Sequence, residues 1–257
     1  MHRVAFDLGN WPIYWYGVLI AAGFFAGLWT ASRRALRDGI APETLADLGP
    51  WLLAAAIVGA RAFYVVSYWD EDFAHQPIWE IFMLRNGGVV FYGGLIGAAI
   101  AFLLYTRHKK LPVWPLADTL APSIALGQGF GRLGCFMNGC CYGCPTSLPW
   151  AVRFPADHAT HGVPVHPTQL YEATLCLGLY LGLVWLHRHK RFPGQVFAAY
   201  LIGYAVLRSV VECFRGDYAV HYLGGIATPA QLVSAAVLTA GLGLWRWQQH
   251  RTKIAQA

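Results

Sequence analysis

Six ionisable side chains fall within long apolar stretches of this 257-residue chain: Arg61, Asp118, Arg132, Glu172, Arg208 and Glu212. A charged group at the centre of a bilayer costs roughly 2.5 to 3.5 kcal/mol on insertion scales, so each of these needs a partner or a function. Arg208, Glu212 and Arg215 recur at i, i+4 and i+7, which places them on one helix face about a turn apart. Two chemistries suit that face. One is a structural ion pair near a membrane interface, with arginines reaching outward past their aliphatic stems. The other is a site for an anionic headgroup, because the guanidinium fork matches phosphate better than an ammonium does. The buried cations include no lysine, which favours the second. Asp118 opens its stretch from the opposite end and reads as a cap or a surface residue.

Four of the six cysteines cluster as Cys135, Cys140, Cys141 and Cys144. A C-x4-C-x2-C ferredoxin spacing would need a cysteine at the position of Gly143. His158, His161 and His166 follow, but not at a zinc-motif spacing. Cys141 and Cys144 are spaced as a redox pair, without the strand and helix pattern that accompanies one. Where thiols face an oxidising compartment, one or two structural disulfides are expected. Packing thiols and a metal site are the alternatives.

The elements that carry these residues are read from hydropathy. The chain is 56% hydrophobic and 12% charged, with 11 Trp, whereas soluble domains carry about 25% charged residues. A spanning helix needs roughly 20 mostly apolar residues. Seven windows qualify, at about 12–31, 46–68, 88–106, 115–134, 168–187, 194–213 and 228–246. The fold class expected is an all-α integral membrane protein, a seven-transmembrane helix bundle over residues 1–257, with an external loop region at about 135–167. The N-terminus shows no basic leader and no small-residue cleavage site, so it is expected to stay as a span.

Orientation follows from the basic residues. Arg33, Arg34, Arg37, Arg107, Lys109, Lys110, Arg188, Lys190, Arg191, Arg246, Arg251 and Lys253 are 12 of the 19 Lys and Arg. All lie on alternate sides of the spans, which makes that side cytoplasmic and the N-terminus external. The external connection after the second span reads Trp69-Asp70-Glu71-Asp72 and holds only Arg85 as a cation. The net charge of +6 therefore reflects topology and anionic lipid, and no nucleic-acid partner is expected. Glycines gather as Gly87, Gly88, Gly93, Gly94 and Gly97 around Tyr92, in a stretch opened by Asn86. Tight helix packing explains several of them; a Gly-Gly pair on either side of an aromatic stretch points instead to lipid access or a late helix start.

The segment Gly131-Arg-Leu-Gly-Cys-Phe-Met-Asn-Gly-Cys-Cys-Tyr-Gly143 resembles the signature G-R-x-G-N-F-x-N-x-E-x-x-G of the prolipoprotein diacylglyceryl transferase family. Further matches follow the same order along the chain: Trp15-Tyr16-Gly17, Gly59-Ala-Arg61 leading to Tyr64, Gly93-Gly94-Leu95-Ile96-Gly97, His166-Pro-Thr-Gln-Leu-Tyr-Glu172, and Gly203-Tyr204 leading to Arg208 and Glu212-Cys-Phe-Arg215. Three positions depart from the pattern. Cys135 replaces the first Asn of the signature, Cys140 replaces its Glu, and Tyr92 stands where many members have His.

The resemblance implies an inner-membrane enzyme of lipoprotein biosynthesis. Such an enzyme moves the diacylglyceryl group of phosphatidylglycerol to the lipobox cysteine thiol of a preprolipoprotein, forms a thioether and releases glycerol phosphate. By carry-over, Arg132 holds the lipid phosphate, Arg208 stabilises the thiolate or the leaving phosphate, and Glu212 orients Arg208. Asn138 and Gly143 line the headgroup pocket, and Tyr16, Arg61, His166, Gln169, Tyr171, Glu172 and Arg215 support it. Tyr92 is read as a catalytic hydrogen-bond donor in place of the His. No cofactor or metal is expected. The alternatives are a paralogue of the same fold with another acceptor, and a small-solute transporter, against which stands the lack of paired broken spans in related halves.

Overall fold

The structure is a computed structural model in which residues 3–7, 9, 12–83, 87–216 and 228–256 are described. Arg85 and Asn86 lie outside the described residues, as does most of the connection between the last two helices. The long helices among the described residues are α1 (Trp15–Ala35), α2 (Pro42–Ser67), α3 (Phe91–His108), α4 (Val113–Asn138), α5 (Thr168–His189), α6 (Gln195–Glu212) and α7 (Pro229–Gln256). Among the described residues, four segments are long and apolar enough to cross a membrane: Trp15–Asp38, Pro42–Ser67, Thr168–His189 and Gln195–Glu212. Polar residues dilute the other three. The helix α3 ends on Arg107 and His108, α4 holds Asp118, Thr119, Gln128 and Arg132, and α7 runs into Arg246, Gln248 and Gln249. Large apolar side chains such as Phe25, Trp29, Leu104 and Trp185 are exposed on the helices, as expected where lipid is the solvent.

The helical expectation stands, with one small addition among the described residues. Two short antiparallel pairs are present, β1 (Val4–Asp7) with β2 (Pro12–Tyr14) and β3 (Val152–Arg153) with β4 (Pro164–Val165). Residues 12–14 pair with β1, so the first helix starts at Trp15 and not near 12. Strands of two to four residues are too short to show a period. At α2 the helix begins earlier than hydropathy suggests, at Pro42, where the ring fixes φ for a first helical turn. The helix α3 begins late, at Phe91, because Gly87 and Gly88 adopt φ of +80° and +77° just before it.

The chain divides into two compact units, residues 35–116 and residues 1–34 with 117–257. In the first, α2 and α3 meet through glycines. A Cβ on Gly93 would lie 2.3 Å from the Gly59 carbonyl oxygen, and one on Gly97 would lie 2.2 Å from that of Ala55. Arg61 is buried here. Its Nε donates to Ile81 O at 2.8 Å, Nη1 to Gly87 O and Gly88 O at 2.8 and 3.0 Å, and Nη2 to Glu80 O and Met83 O at 2.6 and 3.3 Å. The guanidinium thus gathers the carbonyls of the connection between α2 and α3, including those of the two left-handed glycines. Tyr92 sits half-exposed in the first turn of α3, edge-on to Phe91.

In the second unit α1 lies against α4, with Gly23 facing Phe130 and Gly134 facing Tyr16. Arg34 is buried and donates to Thr119 O at 3.3 and 3.4 Å and to the Ser123 hydroxyl. Ala121 and Ala125 of α4 form a core with Leu183 of α5 and Val196 and Tyr200 of α6. Asp118 is fully buried and caps α6 from across the fold. Its Oδ2 accepts from Gly194 N at 2.9 Å and pairs with Lys190 Nζ at 3.4 Å, while Oδ1 accepts from Val196 N and Phe197 N, both at 3.0 Å. Free amides at a helix start are met in this way by any well-placed acceptor.

Candidate functional site

Three helix ends of the second unit supply the site. The last turns of α4 carry Arg132, Cys135 and Asn138; the first turns of α5 carry Gln169, Tyr171 and Glu172; the end of α6 carries Arg208 and Glu212, with Arg215 just beyond. Arg132 Nε pairs with Glu172 Oε2 at 3.0 Å. Arg208 Nη2 lies 2.7 Å from Glu212 Oε2, and Arg215 Nε lies 4.0 Å from the same oxygen. The other Glu212 oxygen accepts from Thr228 Oγ1 at 2.7 Å. The Tyr204 hydroxyl lies 3.5 Å from Glu172 Oε1, with Arg132 and Arg208 both within electrostatic reach.

Arg132, Arg208 and Arg215 gather about the carboxylates of Glu172 and Glu212. Arg208 Nη1 is buried and has no hydrogen-bond partner among the described residues. A buried charged donor left unmade is costly, so this nitrogen is a place for an acceptor from a ligand. The Gln169 side-chain oxygen is likewise buried and unpartnered.

The loop after α4 is held from α5 and from the chain after α6. Thr168 Oγ1 donates to Cys141 O at 2.7 Å, and Gln169 Nε2 to Cys140 O at 2.6 Å. Gly143 N donates to His166 O at 2.9 Å, Cys144 N to Phe214 O at 2.9 Å, and His166 N to Cys144 O at 3.0 Å. Gly143 is a glycine because the backbones touch: a Cβ there would lie 2.5 Å from Phe214 O and 2.6 Å from the His166 Cβ. Tyr171 OH accepts from Trp150 Nε1 at 2.8 Å and lies 3.2 Å from His166 Nδ1. The expected disulfides are not formed. All six cysteines are free thiols, and the sulfurs of Cys135, Cys140 and Cys141 lie within 4.8 Å of one another. The Cys141 thiol is held well below its ordinary range, first by hydrogen bonding from the Cys135 and Cys140 thiols and then by Arg215 and Arg132. Tyr16, on the first turn of α1, lies close enough to feel all three sulfurs, and the exposed Asn138 side chain stands against Cys140.

Of the residues expected from sequence, the second unit thus brings together Arg132, Glu172, Arg208, Glu212, Arg215, Gln169, His166, Tyr171, Gly143, Asn138 and Tyr16 around the ends of α4, α5 and α6. Arg61 and Tyr92 belong to the first unit. The N–H groups of Arg61 are engaged by carbonyls of the connection between α2 and α3. Thr228 and Trp150 had no place among the residues expected from sequence, Arg34 entered only as one of the cations that set orientation, and Tyr204 only as part of a motif. Thr228 carried a signal: Thr228-Pro-Ala-Gln231 has the spacing of a capping box, and Thr228 N and Gln231 Oε1 meet at 3.1 Å. Tyr204 stood in a motif, but nothing in sequence could say that its hydroxyl reaches Glu172.

Apolar helices with buried arginine–carboxylate pairs and an unmet guanidinium nitrogen define a helical membrane protein with a cationic site. Residues 3–247 match the family model of prolipoprotein diacylglyceryl transferase. A Finegoldia magna protein named phosphatidylglycerol–prolipoprotein diacylglyceryl transferase is 40% identical over 243 residues, covering 94% of each chain. Relatives of the same name from Synechococcus elongatus and Geobacillus kaustophilus are each 39% identical, over 93% and 95% of this chain and 84% and 92% of theirs. The chain belongs to the prolipoprotein diacylglyceryl transferase family and is a multi-pass membrane transferase.

Proposed function

We propose that the chain transfers the diacylglyceryl group of phosphatidylglycerol to the lipobox cysteine thiol of a preprolipoprotein, the first step of lipoprotein maturation. The acceptor sulfur forms a thioether bond to the glycerol carbon of the lipid. The carbon–oxygen bond to phosphate breaks, and glycerol phosphate leaves with the electron pair. The observation that carries this reading is the buried, unpartnered Nη1 of Arg208 beside the Arg132–Glu172 and Arg208–Glu212 pairs. A leaving phosphate gains a second negative charge as the bond breaks, and fixed cations in a water-poor site favour that change.

In this reading Arg132 holds the lipid phosphate and Arg208 meets the developing charge. Glu212 and Glu172 aim the two guanidiniums, with Thr228 and Tyr204 fixing the carboxylates. Arg215, Asn138, Gly143, Tyr16, Gln169, His166 and Tyr171 shape the headgroup pocket. Tyr92 is a hydrogen-bond donor and Arg61 a loop support. The single transferase unit spans residues 1–257 and crosses the bacterial inner membrane seven times, with the N-terminus outside and the C-terminus cytoplasmic. The count is supported by the seven long helices, and the orientation by the basic residues on alternate connections. The test is direct. Purified protein, phosphatidylglycerol and a lipobox peptide should give a thioether-linked diacylglyceryl peptide by mass spectrometry; no adduct under lipid and detergent conditions that support a relative's activity would end the proposal.

A further inference from the structure

The transfer reaction needs a thiolate, and a free cysteine with a pKa of about 8.5 is mostly protonated near neutrality. At the position where many family members have His, this chain has Tyr92, and two polar signature positions have become Cys135 and Cys140. The structure shows what those cysteines do together with Cys141. Their three sulfurs converge within 4.8 Å of one another, and the group has three members among the described residues. Three sulfurs each about 2.3 Å from one tetrahedral zinc ion would stand roughly 3.8 Å apart. Closing the group onto an ion therefore needs shifts of about an ångström or less.

The convergence is built by the backbone. At the end of α4, Gly139 takes φ of +79°, its N–H donates to Phe136 O at 3.1 Å, and Cys140 N donates to Cys135 O at 3.1 Å. That is the Schellman cap, which folds the second residue past the helix back over the third residue before its end. Cys140 is thereby laid against Cys135. Cys141 then adopts φ of +63°, a conformation that costs a non-glycine residue of order 1–3 kcal/mol and persists only where the surroundings impose it. Here they do: the carbonyls of Cys140 and Cys141 are both held from the start of α5, by Gln169 and Thr168. Arg132 and Arg215 lie within electrostatic reach of Cys141 and would offset the charge of several thiolates.

We propose that Cys135, Cys140 and Cys141 form a three-thiolate zinc site whose open fourth position takes the acceptor cysteine of the transfer reaction. The proposal rests on the transferase reading given above. Three protein ligands with an open position is the arrangement of reactive zinc, whereas four protein ligands make a structural site. A thiol that coordinates zinc is deprotonated outright. The proton passes to water, the sulfur keeps its lone pair for attack on the lipid carbon, and the ion changes neither charge nor ligands of its own. Copper(I) would be satisfied by three thiolates alone and would leave the acceptor no place, so zinc is the ion that fits the reaction.

Cobalt(II) serves as the probe. Full-length protein in detergent, stripped with chelator under reducing and anaerobic conditions, is expected to develop thiolate-to-cobalt charge-transfer and visible ligand-field bands that saturate at one ion per chain and are bleached by zinc. A lipobox peptide should shift these bands as a fourth sulfur binds, and the same peptide with serine for cysteine should not. Cys135→Ser, Cys140→Ser and Cys141→Ser should each weaken cobalt binding by more than about tenfold, with Cys176→Ser and Cys213→Ser binding as the parent. Absence of the bands in the unaltered protein, or a disulfide mapped within the triad of protein isolated without reductant, would overturn the site. Bands without any response to the cysteine peptide would overturn the open position. The two readings fail separately: full transfer by metal-free protein sinks the zinc and keeps the transferase, whereas cobalt and peptide responses without adduct sink the lipid reaction alone.

Discussion

Arg208→Lys keeps a positive charge on α6 but removes one of the two nitrogens that the guanidinium presents. In the structure those nitrogens are divided between tasks. Nη2 lies 2.7 Å from Glu212 Oε2, and Nη1 is buried without a partner. A lysine ammonium is one point charge on a flexible stem, so it can hold Glu212 or reach toward the phosphate, but not both at once. Glu212 is buried and also held by Thr228, so the ammonium should stay with the carboxylate. The ion pair then survives, and stability should change by no more than about 1 kcal/mol, as for a modest change of contacts around a retained pair. The reaction loses one donor aimed at developing charge, which costs about 2.7–4 kcal/mol, or roughly 100- to 1,000-fold in rate. Initial rates of diacylglyceryl transfer to a lipobox peptide, read by mass spectrometry, give the second number; thermal unfolding followed by tryptophan fluorescence gives the first. Activity within about threefold of the parent would mean that Nη1 has no part in the reaction. A stability loss as large as that of Arg208→Ala would mean that the division of labour between the nitrogens is wrong.

Thr228→Val removes both the hydrogen bond to Glu212 and the side-chain cap of α7; a loss of about 1–2 kcal/mol in unfolding free energy is expected, with a fall in transfer rate because Glu212 is no longer fixed. Asp118→Ala leaves the amides of Gly194, Val196 and Phe197 and the ammonium of Lys190 without their acceptor. It should destabilise the protein by about 3 kcal/mol or more, seen as a lowered unfolding midpoint. Gly93→Ala places a methyl 2.3 Å from the Gly59 carbonyl oxygen, so α2 and α3 must separate; cysteine cross-linking between those helices should become inefficient. Tyr92→Phe should slow transfer if the phenol donates a hydrogen bond in the reaction, and full activity measured by the same peptide assay would remove Tyr92 from the mechanism.

The helices were legible because their stretches of apolar residues are long, and the cationic site because Arg208, Glu212 and Arg215 repeat at helical spacing. What escaped were features decided by distant or very short segments. The first hairpin, Val4–Asp7 with Pro12–Tyr14, offers too few residues for a pattern. The partners of Asp118 lie 72 to 79 positions downstream, so it could be named as a cap but its partners could not be located. The free state of the cysteines turned on one residue. Gly139 bends the chain so that Cys140 returns over Cys135, and a loop that looked like a disulfide framework is a folded-back helix end. Arg61 was grouped with the site by its charge and its motif, yet its donors are spent on the carbonyls of 80–88, a pattern that only coordinates reveal.

Asp118 also bears on the chemistry at the far end of α6. Each residue along an α-helix advances by about 1.5 Å and 100°, so a helix that slips by a single residue in its groove would swing Arg208 about a quarter-turn away from the ligand. By gripping the amides of Gly194, Val196 and Phe197 at the start of α6, the carboxylate acts as an indexing pin that sets both the height and the phase of the helix. The aim of Arg208 is thus fixed some four turns from the charge that fixes it, and sequence changes around Asp118, Lys190 and Gly194 can detune the enzyme without touching any atom that meets the lipid.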